Sequence, residues 1–427
     1  TTFLILLGLM CLLLTGVPIF AGLGVASIAL MVLTEGSIGS IADTVFGKLD
    51  TGLLTAIPMF AFMAHVMIRS KVVDDLYDAT NALVRHLPGG LGVATVMACT
   101  VFAAISGSSV ATALTIGSSA IPQMERHGYR PCDAYGVVAA GGTLGILIPP
   151  SGPLILYAIV TETSIGALFL AGVIPGVIIA SIFAGFCIVQ AVWRDDTERL
   201  GWIGWPACLS AIRKSIWALA LPPVVLGGIY FGVFTASEAA AIGCILALLI
   251  AVGIYRNFRI KDLYETAFET VRTTAMLFMI LAAAAMFGHV VTIMRLPNEL
   301  VEMVIAMGAS PMAFILAVMA AIFILGMFLE TIAIILITTP IIFPVMLELG
   351  IDPIWYGILL MINLELALIT PPVGMNLFVI KGIANAPMNE IIHGILPYVV
   401  LMLAGLFLVL LFPQTALWLP EIAGFGR

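Results

Sequence analysis

Residues 103–114 read AAISGSSVATAL and place four small residues, at positions 106–109, between two apolar runs. As helices, the run at 91–105 and the run at 110–121 would each be about 20 Å long. The hydrocarbon core of a bilayer is about 30 Å thick, so neither run is long enough to cross a membrane alone. The segment instead indicates a chain that turns inside a membrane and places hydroxyl groups there.

The composition of the whole chain supports a membrane location. Of 427 residues, 62% are hydrophobic and only 10% are charged, and the mean hydropathy is +1.19. Soluble domains carry about 25% charged residues. Apolar stretches of about 20 residues recur along the chain, so we predict an all-α polytopic membrane protein in a lipid bilayer. The N-terminal residues lack a basic start and a cleavage site, so no removable signal peptide is expected.

Cysteine and histidine give no sign of a metal cluster. The six cysteines have no C-x-x-C spacing and mostly lie in apolar runs, which is typical of small packing residues. The five histidines are scattered singly. The net charge is −7, and we expect no nucleic acid among the partners.

The sequence contains an internal repeat at an offset of 222 residues, and its matches need no gap. Prolines are too rare for this many of them to align by chance. We therefore predict two repeats, 1–205 and 215–427, with a connector that begins near residue 193. The aligned residues are Pro122 with Pro344, Gly128 with Gly350, Pro131 with Pro353, Pro149 and Pro150 with Pro371 and Pro372, Gly152 with Gly374, and Pro175 with Pro397.

Each repeat contains the same parts in the same order. Apolar spans are followed by an amphipathic segment, by two short apolar runs around a polar tip, by a span that Pro-Pro interrupts, and by a final span. We predict hairpins at 91–121 and 312–343, broken spans at 134–160 and 354–380, a transport bundle from 91–192 and 312–412, and a scaffold from 1–68 and 215–294.

Positive charge places equivalent loops on opposite sides of the membrane, because an excess of Lys and Arg in short loops marks the cytoplasm. The loops that flank the first hairpin are basic, whereas their equivalents hold Arg295 among four acids. The segment 256–272 is basic, whereas its equivalent, 34–50, has one lysine and three acids. We therefore predict inverted repeats. The basic residues used are Arg69, Lys71, Arg85, Arg126 and Arg130 around the hairpin, and Arg194, Arg199, Arg213 and Lys214 in the connector.

The short runs of each repeat are predicted to form re-entrant helical hairpins. Unwound backbone exposed to lipid would leave N–H and C=O groups unsatisfied, at several kcal/mol each. The first hairpin would enter from the cytoplasm and turn near the midplane at 106–109. The second would enter from the opposite face and turn at 326–331. The alternative is a single kinked helix over 91–121, although SGSS is a poor helix interior.

A double proline must break one span in each repeat. Proline removes a backbone donor and clashes with the preceding turn, and glycines at 141, 142 and 145 loosen the first of these spans. A broken helix is tolerated in a membrane where protein or a water-filled cavity satisfies the freed groups. Its ends offer carbonyl groups to a cation and N–H groups to an anion.

Hydroxyl and carbonyl oxygens at these points are suited to sodium, because a hard cation prefers oxygen ligands. We predict at least two Na+ sites, one where each hairpin tip faces the break of its own repeat, with room for a substrate between them. The predicted Na+ ligands are Ser106, Ser108, Ser109, Gly142, Thr143, Gly145, Pro149, Gly326, Glu330, Thr331, Asn363 and Thr370. The predicted substrate contacts are Ser108, Ser151, Arg295, Gly374 and Asn376.

Three charged residues have two interpretations each. Glu330, an acid at a hairpin tip, has a role in ion coupling or makes a structural hydrogen bond, and carboxylates inside membranes favour the first. Glu365 is functional or serves helix packing. Arg295 binds a substrate carboxylate in a bidentate manner or pairs with Glu299.

Two segments, 70–85 and 256–272, are amphipathic with helical spacing. We predict that both lie along the membrane surface. They would link a moving bundle to a fixed one, or anchor the chain at the interface.

Four motifs resemble the large membrane subunit of tripartite ATP-independent periplasmic (TRAP) transporters, and the resemblance covers nearly the whole chain. It implies an elevator-type secondary transporter of the bacterial inner membrane, within the ion transporter superfamily. The motifs are SGSSVATALTIGSSAIPQM at 106–124, GGTLGILIPPSGPLILYAIV at 141–160, GMFLETIAIILITTPIIFPV at 326–345 and ITPPVGMNLFV at 369–379.

The resemblance also implies partners and cargo. Such subunits are similar to sodium-driven importers of organic acids that act with a small four-helix membrane subunit, which some members carry fused. A soluble periplasmic binding protein delivers the substrate. Substrates of the family include four-carbon dicarboxylates, sialic acid and other sugar or keto acids. The resemblance places one sodium at each pair of tip and break.

Other functions remain open at this point. A stand-alone sodium/organic-anion symporter or antiporter would have the same architecture and need no binding protein. An intramembrane serine hydrolase would need a nucleophile elbow or a zinc motif, and the sequence has neither G-x-S-x-G nor H-E-x-x-H. We therefore expect a transporter and not an enzyme.

Overall fold

The computed structural model describes residues 15–194, 200–308 and 310–425, together with positions 8 and 12. The start of the predicted scaffold and Arg199 of the basic connector lie outside these residues. A 3-10 turn, Gly52–Thr55, leads into the helix that begins at Ala56, and a π-helical turn, Leu249–Ile254, extends the helix that ends at Leu248. The α-helices of the described residues are α1 (Ile19–Glu35), α2 (Ile41–Leu49), α3 (Ala56–Arg69), α4 (Val72–Val84), α5 (Gly90–Ser106), α6 (Ser109–Arg126), α7 (Pro131–Leu147), α8 (Gly152–Thr161), α9 (Ile165–Arg194), α10 (Trp205–Tyr230), α11 (Ala236–Leu248), α12 (Ile260–Ile293), α13 (Leu296–Ala306), α14 (Pro311–Gly326), α15 (Thr331–Glu348), α16 (Pro353–Leu368), α17 (Met375–Ala384), α18 (Met388–Leu411) and α19 (Gln414–Ile422).

The prediction of an all-α polytopic membrane protein is confirmed. Over the described ranges, eight helical segments are long and apolar enough to cross a bilayer. The broken span formed by α7 and α8 is the most enclosed of these, with 89% of its most apolar window buried, whereas the same measure for α10 is 28%. The first broken span therefore lies at the centre of the protein, and α10 lies at its periphery.

Local sequence sets the first hairpin turn, which we call tip 1 (residues 106–109). Gly107 ends α5 in the left-handed region, with φ of 60°, a conformation that glycine adopts without strain. Ser108 is extended and caps α6, because its hydroxyl accepts the N–H of Ala111 at 3.4 Å. The corresponding turn of repeat 2, tip 2 (residues 326–331), connects α14 to α15.

Contacts at the open end of the first pair of helices show that it is a hairpin and not one kinked helix. The N–H of Gly92, at the start of α5, donates to the hydroxyl of Tyr129, just beyond α6, at 3.4 Å. The hydroxyl of Thr95 lies 3.6 Å from the sulfur of Met124 near the end of α6. Both ends of the pair therefore lie on one side of the membrane.

The hairpin arms are longer than the sequence indicated. Helix α5 has 17 residues and α6 has 18, or about 26 Å each, because α6 continues through Pro122 to Arg126. In repeat 2, α15 is long and apolar enough to cross a bilayer by itself. The helix pairing, and not the length of the arms, therefore defines the first hairpin as re-entrant.

The broken spans of the two repeats run in opposite directions. Break 1 (residues 148–151) separates α7 from α8, and break 2 (residues 369–374) separates α16 from α17. The hydroxyl of Tyr157 in α8 donates to the carbonyl of Pro353 at the start of α16 at 2.7 Å. The amide of Asn376 in α17 donates to the carbonyl of Ala139 in α7 at 3.4 Å. The second half of each broken span (α8 or α17) therefore lies beside the first half of the broken span of the other repeat (α16 or α7). Inverted repeats require this arrangement.

Cysteine labelling tests the inversion directly. Arg126 ends α6 and Glu348 ends α15, both are exposed, and they are equivalent in the repeat. In a cysteine-free background, we expect Arg126→Cys to react with an impermeant thiol reagent only from the cytoplasm, and Glu348→Cys only from the periplasm. Labelling of both positions from the same face would contradict the inverted fold.

The segment 256–272 does not form a separate surface helix, which corrects the sequence interpretation. From residue 260 it is the first part of α12, a continuous helix of 34 residues and about 50 Å. No glycine or proline interrupts the stretch 260–287, so the helix continues from the interface into the membrane. Arg69 at the end of α3 pairs with its acids, at 3.6 Å from Asp262 and 3.3 Å from Glu269.

Two short helices, α4 and α13, precede the hairpins of the two repeats. Helix α4 packs against α5 and α6 of the first hairpin and against α10. Helix α13 packs against α15 of the second hairpin and against α12. Each therefore touches a hairpin and a helix of the predicted scaffold, which is the placement that a linking helix needs.

Candidate functional site

Both tips, break 1 and the helix ends beside break 2 line one central cavity of about 230 Å³. Tip 1 contributes Ser106 and Ser108, and tip 2 contributes Glu330 and Thr331. Pro150 comes from break 1, Leu368 and Met375 flank break 2, and one wall comes from α3 and α12. The residues of that wall are Ile57, Phe60, Ala61, Thr273, Met276 and Leu277.

Glycines let tip 1 pack directly on the first broken span. A Cβ atom on Gly145 would lie 2.5 Å from the carbonyl carbon and oxygen of Ser108. A Cβ atom on Gly107 would lie 2.3 Å from the carbonyl oxygen of Pro150, and one on Gly142 would lie 2.6 Å from the Cβ of Ala113. Only residues without a side chain allow the backbones to approach this closely.

Hydroxyl groups hold tip 1 in place. Ser109 is buried, and its hydroxyl donates to the carbonyl oxygen of Thr143 in α7 at 2.9 Å. The hydroxyls of Ser106 and Thr112 lie 2.8 Å apart, and Thr112 also donates to the carbonyl of Ser108 at 2.8 Å. The tip thus concentrates hydroxyl and carbonyl oxygens beside the last turns of α7.

Tip 2 is built in a related way. A Cβ atom on Gly326 would lie 2.6 Å from the Cβ of Ala367, which is the repeat equivalent of Gly145. The amide of Asn363 is buried and donates to the carbonyl of Met319 in α14 at 2.9 Å. Thr331 is buried and Glu330 is half-buried, and both line the cavity. Thr370 donates to Leu366 within its own helix at 2.6 Å.

Of the predicted substrate residues, Ser108 lines the cavity, and Ser151, Gly374 and Asn376 are sequence neighbours of the lining residues Pro150, Gly152 and Met375. Ser151 and Asn376 are fully buried at break 1 and at the start of α17, and Ser151 Oγ and Asn376 Oδ1 have no hydrogen-bond partner. Gly374 precedes α17 with φ of 53°. Arg295 is exposed at the turn between α12 and α13 and is not among the residues that line the cavity. Its predicted contact with substrate receives no support from this placement.

Sequence reasoning did not identify the wall from α3 and α12. Phe60, Met276 and Leu277 are ordinary apolar residues of membrane helices, and only the packing of the bundle on α3 and α12 brings them to the cavity.

Glu365, for which the sequence left two interpretations, is fully buried on α16, and one of its oxygens accepts the N–H of Leu147 at 2.9 Å.

Helix ends give the cavity a distinct electrostatic character. The N-terminal residues of α6, α8, α15 and α17 line it, namely Ser109, Gly152, Thr331 and Met375. Helix N-termini carry about half a positive charge each and present free N–H groups. Among the described lining residues, no side chain is a lysine, arginine or histidine, and Glu330 is the charged one. An anion would therefore meet N–H groups instead of cationic side chains.

The central cavity lies along the N-terminal half of α12. It touches residues 273–277, close to the hydrogen bond of 3.1 Å between His65 and Thr270. A second cavity of about 530 Å³ lies along the other half of α12 and is bounded by α2, α8 and α15. There Lys48 Nζ of α2 donates to the carbonyl of Ile159 in the last turn of α8 at 3.2 Å.

Hairpin tips and helix breaks around a central cavity are typical of polytopic membrane transporters, and this protein has the architecture of that class. The family described as tripartite ATP-independent periplasmic transporter, DctM component, matches residues 6–415. The chain belongs to this family, as a TRAP transporter large membrane subunit.

Similar proteins agree with this assignment. The chain is 40% identical to the C4-dicarboxylate TRAP transporter large permease protein DctM of Pseudomonas aeruginosa, over 94% of this chain and 93% of the relative. It is 32% identical to the sialic acid TRAP transporter large permease protein SiaM of Vibrio cholerae, over 98% of this chain and 99% of the relative. The fold is similar to a crystal structure of the Alcanivorax borkumensis YdaH transporter, with a TM-score of 0.64, 13% identity, and coverage of 91% of this chain and 88% of that one.

Proposed function

We propose that this subunit imports an organic anion across the bacterial inner membrane by secondary transport coupled to sodium. The observation that carries the proposal is that both hairpin tips, break 1 and the helix ends beside break 2 line one cavity. Such an arrangement provides oxygens for a cation and N–H groups for an anion within the same enclosed space.

The residues present suit Na+ as the coupling ion. At tip 1, the carbonyl of Thr143 and the hydroxyls of Ser106 and Ser109 lie beside the backbone of Ser108. At tip 2, Glu330 and Thr331 occupy the equivalent positions and add one carboxylate. Oxygen donors of this kind are those that hard cations prefer. We assign one Na+ to each pair of tip and break.

A four-carbon dicarboxylate is the substrate that we favour. The relative named for C4-dicarboxylates is 40% identical to this chain, and the relative named for sialic acid is 32% identical. The carboxylates of a dicarboxylate would accept hydrogen bonds from the N-termini of α6, α8, α15 and α17.

Transport would follow an elevator mechanism. The helices from the two hairpins to α9 and α18 would move as a bundle against α1–α3 and α10–α12. The central cavity lies along the N-terminal half of α12, which we place toward the cytoplasm, and a second cavity lies along the other half. We therefore assign this conformation to the inward-displaced state, in which Lys48 contacts the end of α8.

The proposed partners are a small four-helix membrane subunit and a periplasmic binding protein that delivers the substrate. Membership of the TRAP family supports both partners. Helix α10 exposes Trp205, Leu209, Trp217 and Val224 at its surface, which gives the small subunit or lipid an apolar face to cover. A symporter or antiporter that works without a binding protein is the alternative, and uptake by this chain alone in liposomes would favour it.

Uptake measurements test the proposal. Reconstituted with both partners and a labelled C4-dicarboxylate, the protein should accumulate substrate only when external Na+ exceeds internal Na+. Replacing external Na+ by K+ should reduce the initial rate to that of protein-free liposomes. Uptake that continues unchanged without a sodium gradient would contradict the proposed coupling, and sialic acid in place of the dicarboxylate tests the substrate.

A further inference from the structure

We propose that Glu365 of repeat 2 is a positioning residue for the Na+ site of repeat 1. This inference rests on the proposed function, because it concerns the sodium site at tip 1. Glu365 lies on α16, and its side chain is fully buried in the middle of the bundle. It reaches across to the other repeat and acts there on the last turn of α7.

The contact between Glu365 and α7 is specific. Glu365 Oε1 accepts the backbone N–H of Leu147, the last residue of α7, at 2.9 Å, while Oε2 has no partner. In a regular α-helix the N–H of residue 147 donates to the carbonyl of residue 143. Glu365 thus fixes the C-terminal end of α7, and the carbonyl of Thr143 in the same turn has a further partner.

That partner is tip 1. The carbonyl of Thr143 accepts the hydroxyl of Ser109 at 2.9 Å, and Gly145 lies against the backbone of Ser108 without room for a Cβ atom. Residues 143–147 are therefore held between Glu365 on one side and tip 1 on the other. A shift of this segment would move the carbonyl of Thr143 away from the proposed ion.

The contact is not repeated by the symmetry of the fold. Thr143 is the equivalent of Glu365, and its hydroxyl donates to Ala140 in its own helix at 2.6 Å. Ile369 is the equivalent of Leu147, and its N–H donates to Leu366 at 3.3 Å. Repeat 2 thus holds the ion site of repeat 1, and these equivalent residues make no reciprocal contact.

Loss of the acceptor should weaken the sodium site without removing the cavity. In a Glu365→Met variant, the N–H of Leu147 would lose its buried side-chain acceptor, and the last turn of α7 would no longer be fixed from the side of α16. A shift of that turn would move the carbonyl of Thr143 away from Na+. In a Glu365→Gln variant, the amide oxygen can still accept the N–H.

The experiment measures Na+ binding in two ways for both variants, with the complete transporter. The first readout is the Na+ concentration that gives half-maximal uptake. The second is taken from the Tm of the purified protein, which should rise with Na+: it is the Na+ concentration at which half of that rise is reached. We expect Glu365→Met to raise both concentrations by about tenfold and Glu365→Gln to change them by less than about threefold. Leu360→Met, a buried substitution on the same helix, controls for repacking.

Three results would overturn the inference. A lower Tm or yield of Glu365→Met with both Na+ concentrations at the wild-type value would show a role in packing alone. Equal effects of Gln and Met would exclude the hydrogen-bond acceptor as the cause. If wild-type uptake and Tm are both insensitive to Na+, the proposed function fails and this inference fails with it.

Discussion

Replacing Gly145 with alanine is expected to lower the initial rate of sodium-driven uptake by about 100-fold while the protein still inserts and folds. The added Cβ would lie 2.5 Å from the carbonyl carbon and oxygen of Ser108 and 2.8 Å from the nitrogen of Ser109. These are backbone atoms, so no side-chain rotation relieves the overlap, and tip 1 must move away from α7. Overpacking of this kind costs about 1–3 kcal/mol, and about 3 kcal/mol corresponds to a 100-fold loss of affinity for the ion.

The matched control for this substitution is Gly185→Ala in α9. A Cβ at position 185 would have no heavy atom within 4 Å, so transport should stay at the wild-type rate. Size-exclusion chromatography of both variants establishes that the protein is intact. If Gly145→Ala transports at the wild-type rate with unchanged dependence on Na+, the contact between tip 1 and α7 does not form an ion site.

The tips and breaks could be predicted from the sequence because the residues that cause them act locally. Pro149 and Pro150 lack the backbone N–H that a helix needs and clash with the preceding turn, and they follow glycines at 141, 142 and 145, whereas Pro222 and Pro223 lie inside α10 without ending it. SGSS disfavours a helix interior. The structure ends α7 at Leu147 and turns the first hairpin at 106–109. Duplication of the same residues at an offset of 222 then identifies the corresponding features of repeat 2.

Features that depend on packing between distant segments could not be predicted in this way. The hydrogen bond from Leu147 to Glu365 joins residues 218 positions apart, and nothing near Glu365 in the sequence points to that partner. The continuity of α12 was also missed, because the charges at 261–272 are typical of a surface segment. The structure shows that Arg69 of α3 pairs with acids of this segment instead.

The placement of Arg295 changes how the anion site is understood. A single arginine on the acidic side of the sequence suggests a carboxylate contact, but Arg295 is exposed outside the cavity. The described lining residues bring four helix N-termini to the cavity instead. Backbone N–H groups bind carboxylates without a fixed cation that would repel Na+, which would be an advantage if, as proposed, both ions share one cavity.

Glu330→Gln is expected to raise the Na+ concentration for half-maximal uptake by about tenfold or more. Glu330 is the charged side chain among the described lining residues, and it lies half-buried at the start of α15. Its removal deletes the attraction between a carboxylate and the ion while the shape of tip 2 is kept. Contacts to a charged group contribute about 1.5–3 kcal/mol, which corresponds to about 10-fold to 100-fold in affinity.

The interpretation of Glu330 as a merely structural residue predicts a different result. A glutamine can still make a structural hydrogen bond, so uptake would keep its normal dependence on Na+. Glu348→Gln, at the exposed end of the same helix α15, removes the same charge far along the arm and should leave that dependence unchanged. If Glu330→Gln and Glu348→Gln both behave as wild type in a full Na+ titration, tip 2 does not use its carboxylate to bind the coupling ion.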